Sequence, residues 1–218
     1  MQKYVDIGVH AFPEGSDTAQ KLRNVALRLG FFDIVVTAHS PHWSSDVNSS
    51  LTFGVEIISK SVRDLRKQVT FFREKATIVG VHGGDERINR AACKDDRVDL
   101  LMHPESGKKG VLSQVEAKLA RKNQVALGVC LSYFWKTENV ERSRVLTLQR
   151  KNVAVCQKLG VPIVIMSDAN SCYDMRSPSQ LKALAQILGL NHLEADIALS
   201  KNPLSIMASR KEEKRGGL

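Results

Sequence analysis

The sequence predicts a parallel α/β architecture, closed into a barrel or left open. Three observations carry that prediction. Seven short apolar runs alternate with segments of helical periodicity. The runs are nearly continuous in aliphatic and β-branched residues, as strands buried on both faces are. No repeat or linker divides the 218 residues, and their 43% hydrophobic content supplies one sizeable core. Seven βα units in one domain favour closure as a TIM-like barrel. The expected organisation is a single barrel over residues 1–205, followed by a basic, frayed and flexible tail over 206–218.

The elements follow in order. Tyr4–Val9 is a first strand. Ser16 or Asp17 can cap a helix whose inner stripe is Leu22, Val25, Ala26 and Leu29, ended by Gly30. Phe31–Thr37 is a second strand, and His39–Ser50 is a polar loop. Thr52–Ile58 is the third strand. Val62, Leu65, Val69 and Phe72 stripe the helix after it. Ala76–His82 and Val98–Met102 are strands four and five. A helix over about Val111–Lys122 turns Val111, Val115 and Leu119 inward. Gln124–Leu131 is strand six, and Arg142–Leu159 is a long helix closed by Gly160. Val161–Met166 is strand seven. Ser177-Pro178-Ser179-Gln180 opens a helix with a capping box and Pro at its first position. Asn191–Leu199 is a last helix.

One stretch concentrates the signals. In His82–Glu105, Gly83-Gly84 makes a turn, Asp85 caps a helix, and Glu86 sits at its positive dipole end. Ile88, Ala91 and Ala92 form the buried stripe, while Arg87, Arg90 and Lys94 line the outer side. Val98–Met102 then ends in His103-Pro104-Glu105. Gly84-Asp85, Asn89–Ala92, Arg97-Val98-Asp99 and His103-Pro104 at this spacing resemble the archaeal ribonuclease P protein component 3 family. The resemblance runs from Asp6 to about Pro203 and includes Phe53–Glu56, Val125–Leu131, Lys151–Ile165 and Ser177–Leu188.

Net charge is +9 and pI about 9.5, a balance that suits polyanions. Residues 1–59 are net −2, so the basic excess lies in the rest. It gathers in Lys60–Lys75, Glu105–Lys122, Lys136–Lys151 and Lys201–Arg215, separate patches that fit an extended phosphate backbone better than a compact anion. The cysteines (Cys93, Cys130, Cys156 and Cys172) form no Cys-x-x-Cys pair and read as reduced thiols of a cytoplasmic protein. There is no signal peptide, and no apolar run approaches the roughly 20 residues of a membrane span, so no membrane partner is expected.

In barrels, functional residues gather at the C-terminal ends of strands. Those ends carry Asp6, His10, His39, His42, Glu56, His82, His103 and Asp168. Such a set suggests a metal site for phosphoester hydrolysis. The resemblance points to a barrel related to the polymerase and histidinol phosphatase metallophosphoesterases, which open with Asp-x-His-x-His and close with a Ser-Asp-Ala-His-like segment. Here Gly8 stands in the first histidine position and Asn170 in the last. The expectation is a degenerate remnant (His10, Glu56, His103 and Asp168) hydrogen-bonded at the mouth, with no metal and no catalytic residue of its own. The alternative is a free-standing metal-dependent phosphoesterase. Neither a Walker loop nor a Gly-x-Ser-x-Gly elbow is present.

RNA-binding candidates are basic residues in loops and on helix faces. Arg87 and Arg90 stand together, with ion pairing to Glu86, Asp95 or Asp96 as the competing role. Lys108 and Lys109 occupy a Gly-Lys-Lys-Gly loop. Arg150, beside Lys151, and Arg176, before Ser177-Pro178, match turns and helices of the resembled family. Tyr133-Phe134-Trp135 can stack on bases, anchor a protein partner or plug the barrel end. The resemblance implies a protein subunit of ribonuclease P, which removes the 5′ leader from precursor tRNA. Its partners would be the ribonuclease P RNA, protein component 2, the other protein subunits and precursor tRNA. The chain would bind no cofactor, and the Mg²⁺ of catalysis would belong to the RNA subunit.

Overall fold

The computed structural model describes residues 2–42 and 51–216, with the side chains of Pro41 and of 209–216 left undescribed. Seven strands form one all-parallel sheet in sequence order: β1 (Val5–Val9), β2 (Asp33–His39), β3 (Thr52–Ile57), β4 (Ile78–His82), β5 (Leu100–Met102), β6 (Ala126–Cys130) and β7 (Ile163–Met166). Its two edges meet at the C-terminal end. A parallel bridge joins Val9 to Ala169, and the His10 N–H donates to the Ala169 carbonyl at 2.8 Å. The result is a nearly closed TIM-like barrel, the closed form of the two that the alternation of apolar runs and helices allows.

The helices are α1 (Ala19–Leu29), α2 (Val62–Arg73), α3 (Glu86–Lys94), α4 (Gln114–Lys122), α5 (Tyr133–Lys136), α6 (Asn139–Leu159), α7 (Pro178–Ile187), α8 (His192–Leu199) and α9 (Lys201–Gly216). Strand alternation divides the core in two. Outward residues such as Ile34, Val55, Val79, Leu101, Leu127 and Ile165 pack under the helices. Inward residues (Val5, Ile7, Val35, Ile78, Leu100, Met102, Ala126, Val164 and Met166) fill the barrel. The interior is tight because glycines make room for two methionines. A Cβ on Gly8 would meet Met166 Sδ at 2.8 Å, and one on Gly80 would meet Met102 Sδ at 2.9 Å. A register shift between Asp6 and Val9 breaks the alternation of β1, so Ile7 faces inward, Val9 outward and His10 the mouth.

Three expectations change. First, the barrel does not end at 205. Helix α9 crosses that boundary, and Leu204, Ile206 and Met207 pack against the inner core at the N-terminal ends of the strands. The Asn202 amide donates to the carbonyl of Ile163, the first residue of β7, at 2.8 Å. Ile206–Met207 is therefore a plug, because without it Val5, Ile78 and Val164 would face water. Second, α4 turns Glu116, Ala117 and Ala120 inward, while Val115 is exposed. The helix begins only at Gln114, where Ser113 and Glu116 close a capping box, so Val111 precedes it and the phase rotates. Third, Thr18 caps α1 in place of Ser16 or Asp17. The aromatic run after β6 forms a short helix, α5. The loop expected over His39–Ser50 begins as the end of β2 and a 3-10 turn at Ser40–His42, and residues 43–50 lie outside the described residues.

Candidate functional site

The strand ends place four imidazoles in a row across the mouth. Ring centroids are 5.2 Å apart for His10–His39, 6.4 Å for His39–His82 and 4.8 Å for His82–His103. Carboxylates interleave with them. His82 Nδ1 lies 2.6 Å from Glu56 Oε1, His39 Nδ1 lies 3.0 Å from Glu14 Oε2, and His10 Nε2 lies 3.1 Å from Asp168 Oδ1. His103 Nδ1 meets the Tyr133 hydroxyl at 3.1 Å, and its Nε2 faces Cys130 Sγ at 3.4 Å. His103 and Asp168 both hold positive φ, 50° and 55°, a backbone state that side chains rarely adopt and that clusters at functional sites.

The charges are strongly coupled. Burial opposes ionisation of His10, but the hydrogen bonds to Asp168 and Glu14 outweigh it and raise its pKa to about 10. Burial likewise works against the Asp168 carboxylate, yet His10, His103 and Lys136 hold its pKa well below the usual range. Glu56 is wholly buried and still ionised more readily than usual, because His82, His103 and His39 surround it. Burial raises the Cys130 thiol far above its ordinary pKa.

The two halves of the mouth differ in what they can hold. In the Asp168 half, Met166 fills the space above Gly8 from which a first-strand ligand would project. Asn170 is engaged through its backbone, accepting from the Ser16 N–H at 2.7 Å and donating to Asp174 Oδ2 at 3.2 Å. The Ser132 hydroxyl donates to Asp168 Oδ2 at 2.6 Å, and the Lys136 ammonium donates to the Asp168 carbonyl at 2.5 Å. A built-in cation thus sits on the carboxylate, and a two- or three-ion cluster does not fit there. Of the expected remnant, His10 and Asp168 pair in this half, while Glu56 and His103 lie 3.9 Å apart in the other. His39 and His82 join the mouth; His42 is exposed, and Asp6 lies below, accepting from the Ser167 N–H. Glu14, Cys130, Ser132 and Lys136 were not anticipated. Of these, only Glu14 left a local trace, four residues after His10.

The basic candidates separate into two classes. Arg87, Arg90 and Lys109 rim one surface depression between α3 and α4. Arg87 leans on Asp85 at 3.0 Å and Lys109 on Glu86 at 2.8 Å, exposed pairs that phosphate oxygens can replace. Lys108 lies instead in a groove against α6, beside Arg144 and Thr147. Arg150 and Arg176 are used within the fold. Arg150 donates to the Ile187 carbonyl at 2.8 Å. Arg176 donates to the carbonyls of Tyr173 and Met175 and stacks 4.6 Å over Trp135. The aromatic run plugs the mouth: Phe134 and Trp135 pack on the outer core and Tyr133 on the inner one.

The Gly84–Ala92 stretch explains its own residue choice. The Gly84 N–H donates to the Asn89 side chain at 3.0 Å, and a Cβ on Gly83 would meet that oxygen at 2.7 Å. Gly84 has φ 106°. The motif is therefore a turn lock at the start of α3, the helix that carries Arg87 and Arg90.

Fold and mouth together define a single-domain TIM-like barrel whose strand ends are neutralised largely by their own neighbours. The family model described as RNase P subunit p30 matches residues 3–215, and the chain belongs to that family. It is 36% identical over 212 residues to ribonuclease P protein component 3 of Methanosarcina mazei, covering 94% of this chain and 89% of the relative. It is 32% identical to the same-named protein of Methanothermobacter thermautotrophicus, over 95% of this chain and 89% of the relative. A chain in the cryo-EM structure of archaeal ribonuclease P with mature tRNA superposes with a TM-score of 0.84 at 27% identity, covering 98% of this chain and 94% of that one.

Proposed function

We propose that the chain is a protein subunit of ribonuclease P that supports the catalytic RNA as it removes the 5′ leader from precursor tRNA. One observation carries this reading: the likeness to a chain of archaeal ribonuclease P extends over 98% of the sequence at a TM-score of 0.84. The endonucleolytic chemistry belongs to the RNA and its Mg²⁺. The chain contributes a rigid barrel and a basic flank, with Arg87, Arg90 and Lys109 in position to meet phosphates and Lys108 in the separate groove against α6. Protein component 2 is the partner through which it acts, and the cytoplasm is where it works. Among the described residues no helix is long and apolar enough to cross a membrane.

The test is cleavage of precursor tRNA by the cognate ribonuclease P RNA at limiting Mg²⁺. Component 2 is added alone, then together with this chain. Greater cleavage that requires the RNA and both proteins supports the proposal. Cleavage by this chain without RNA, abolished by a chelator, overturns it in favour of a free-standing phosphoesterase.

A further inference from the structure

Three groups of side chains at the mouth bring candidate ligand atoms within 4.8 Å of one another: His10–Glu14–His39, His39–Glu56–His82 and His103–Cys130–Asp168. The third is committed, since Ser132, His10 and Lys136 already occupy Asp168. In the first, Glu14 is spent on the His39 ring and backbone N–H. The second is different. Glu56 Oε2 is fully buried and has no hydrogen-bond partner, an open acceptor of the kind buried carboxylates rarely leave. It faces His39 Nε2 at 3.7 Å.

The surroundings of that oxygen are arranged. Glu14 takes His39 through Nδ1 at 3.0 Å, which leaves Nε2 bare and aimed at Glu56. A carboxylate on the far nitrogen of a ligating imidazole is the usual support of a metal-bound histidine. His82 lies on the other Glu56 oxygen at 2.6 Å, and His103 Nε2 lies 3.9 Å from it. Bonds near 2.0 Å to a tetrahedral ion separate its ligands by about 3.3 Å, so the 3.7 Å gap needs only a small closure. The side chains of His39 and His82 are 30% and 32% exposed, which provides an entry path and room for a water ligand.

We propose that His39, Glu56 and His82 bind one divalent ion of the zinc class, with Glu14 as the positioning residue for His39. Two imidazoles and one carboxylate select a borderline ion over Mg²⁺ or Ca²⁺, which prefer all-oxygen shells. The ion takes the place of the proton shared by His82 and Glu56, and that proton leaves to solvent. The ion is structural and plays no part in RNA cleavage. It runs against the expectation that the chain holds no ion of its own, and it stands whether or not the subunit reading does.

The experiment uses the full chain, stripped with a chelator and dialysed against Zn²⁺ or Co²⁺ without RNA. The expected result is one ion per chain by elemental analysis, a visible Co²⁺ d–d spectrum lacking a near-ultraviolet thiolate band, and a raised Tm. His39→Asn, at a partly exposed position, should abolish stoichiometric uptake. Glu14→Gln should weaken it roughly 10-fold, and Cys130→Ser should leave it unchanged. Excess Mg²⁺ should not displace Co²⁺. Three results would each overturn the proposal: no uptake by the folded chain, wild-type affinity in His39→Asn, or a thiolate-to-cobalt band placing the ion at Cys130.

Discussion

The two ends of the barrel solve the same problem differently. At the N-terminal end, α9 covers the strand starts with Leu204, Ile206 and Met207, and the principal charge there is fully answered. Arg73 meets buried Asp99 at 2.7 Å and donates to the carbonyls of Arg97 and Thr77, both at 2.9 Å. Asp99 in turn accepts from the Val79 N–H at 2.8 Å. At the C-terminal end the cover is the short α5, which packs over one side of the mouth. A row of histidines and carboxylates stands beside it, with Glu56 Oε2 lacking a hydrogen-bond partner. A protein selected only for stability would pair or remove such groups. The contrast assigns the lower end to holding the barrel together and the upper end to something besides stability.

Substitutions can break or sharpen that contrast. The largest effect is expected below. Arg73→Ala strands a buried carboxylate and several carbonyls, and should cost about 3–5 kcal/mol in urea unfolding; a loss under about 1 kcal/mol would show that the lower end is not held this way. Next comes the wall between the ends. Gly8→Ala drives a methyl group into Met166 and should cost about 1–3 kcal/mol by overpacking. An unchanged unfolding midpoint would mean that Met166 moves aside freely, leaving the Asp168 half open to an ion after all.

A pH series addresses the mouth. The pKa of His10 is raised from 6.5 to about 10, so its stabilising contribution is complete below about pH 6.5 and fades as the pH rises toward 10. Asp168, held low, contributes above its ordinary range and loses that contribution in acid. His10→Gln should therefore flatten the fall in stability between pH 7 and pH 10, as followed by thermal unfolding. A variant with the wild-type slope would remove His10 from the balance. The smallest effect on stability is expected on the outer flank. Arg87→Ala and Arg90→Ala should leave the unfolding midpoint in place, yet each should lower the salt dependence of RNA binding by about one unit of slope, whatever the RNA sequence. An unaltered slope would move the phosphate contacts elsewhere.

The sequence carried the architecture well because strands buried on both faces leave continuous apolar runs, and all seven were legible in it. Caps at Ser61, Asp85, Ser177 and Asn191 were equally visible or fell at the expected helix starts, since each needs only a few adjacent residues. What local reading could not supply was phase. Val111, Val115 and Leu119 have helical spacing, but the capping box at Ser113 starts α4 late and turns a different face inward. The tail reads as flexible for a related reason: its dense charge after Ser209 masks the apolar Leu204, Ile206 and Met207 just before it. At the mouth, the strand-end rule collected His10, His39, Glu56, His82, His103 and Asp168. It could not reveal that Lys136 reaches back to Asp168 across 32 positions, nor that Glu14 orients His39 across 25.

The plug has a consequence for how the molecule is made. A ribosome delivers β1 through β7 before α9 exists, so the barrel interior must wait, with its lower end wet, for the segment around Leu204–Met207 to emerge. Folding intermediates held at that stage would expose Val5, Ile78, Leu100 and Val164 at one open rim. The segment that seals the barrel therefore leaves the ribosome after all seven strands, and a nascent chain stalled before it is a form of this protein exposed to chaperones and to aggregation.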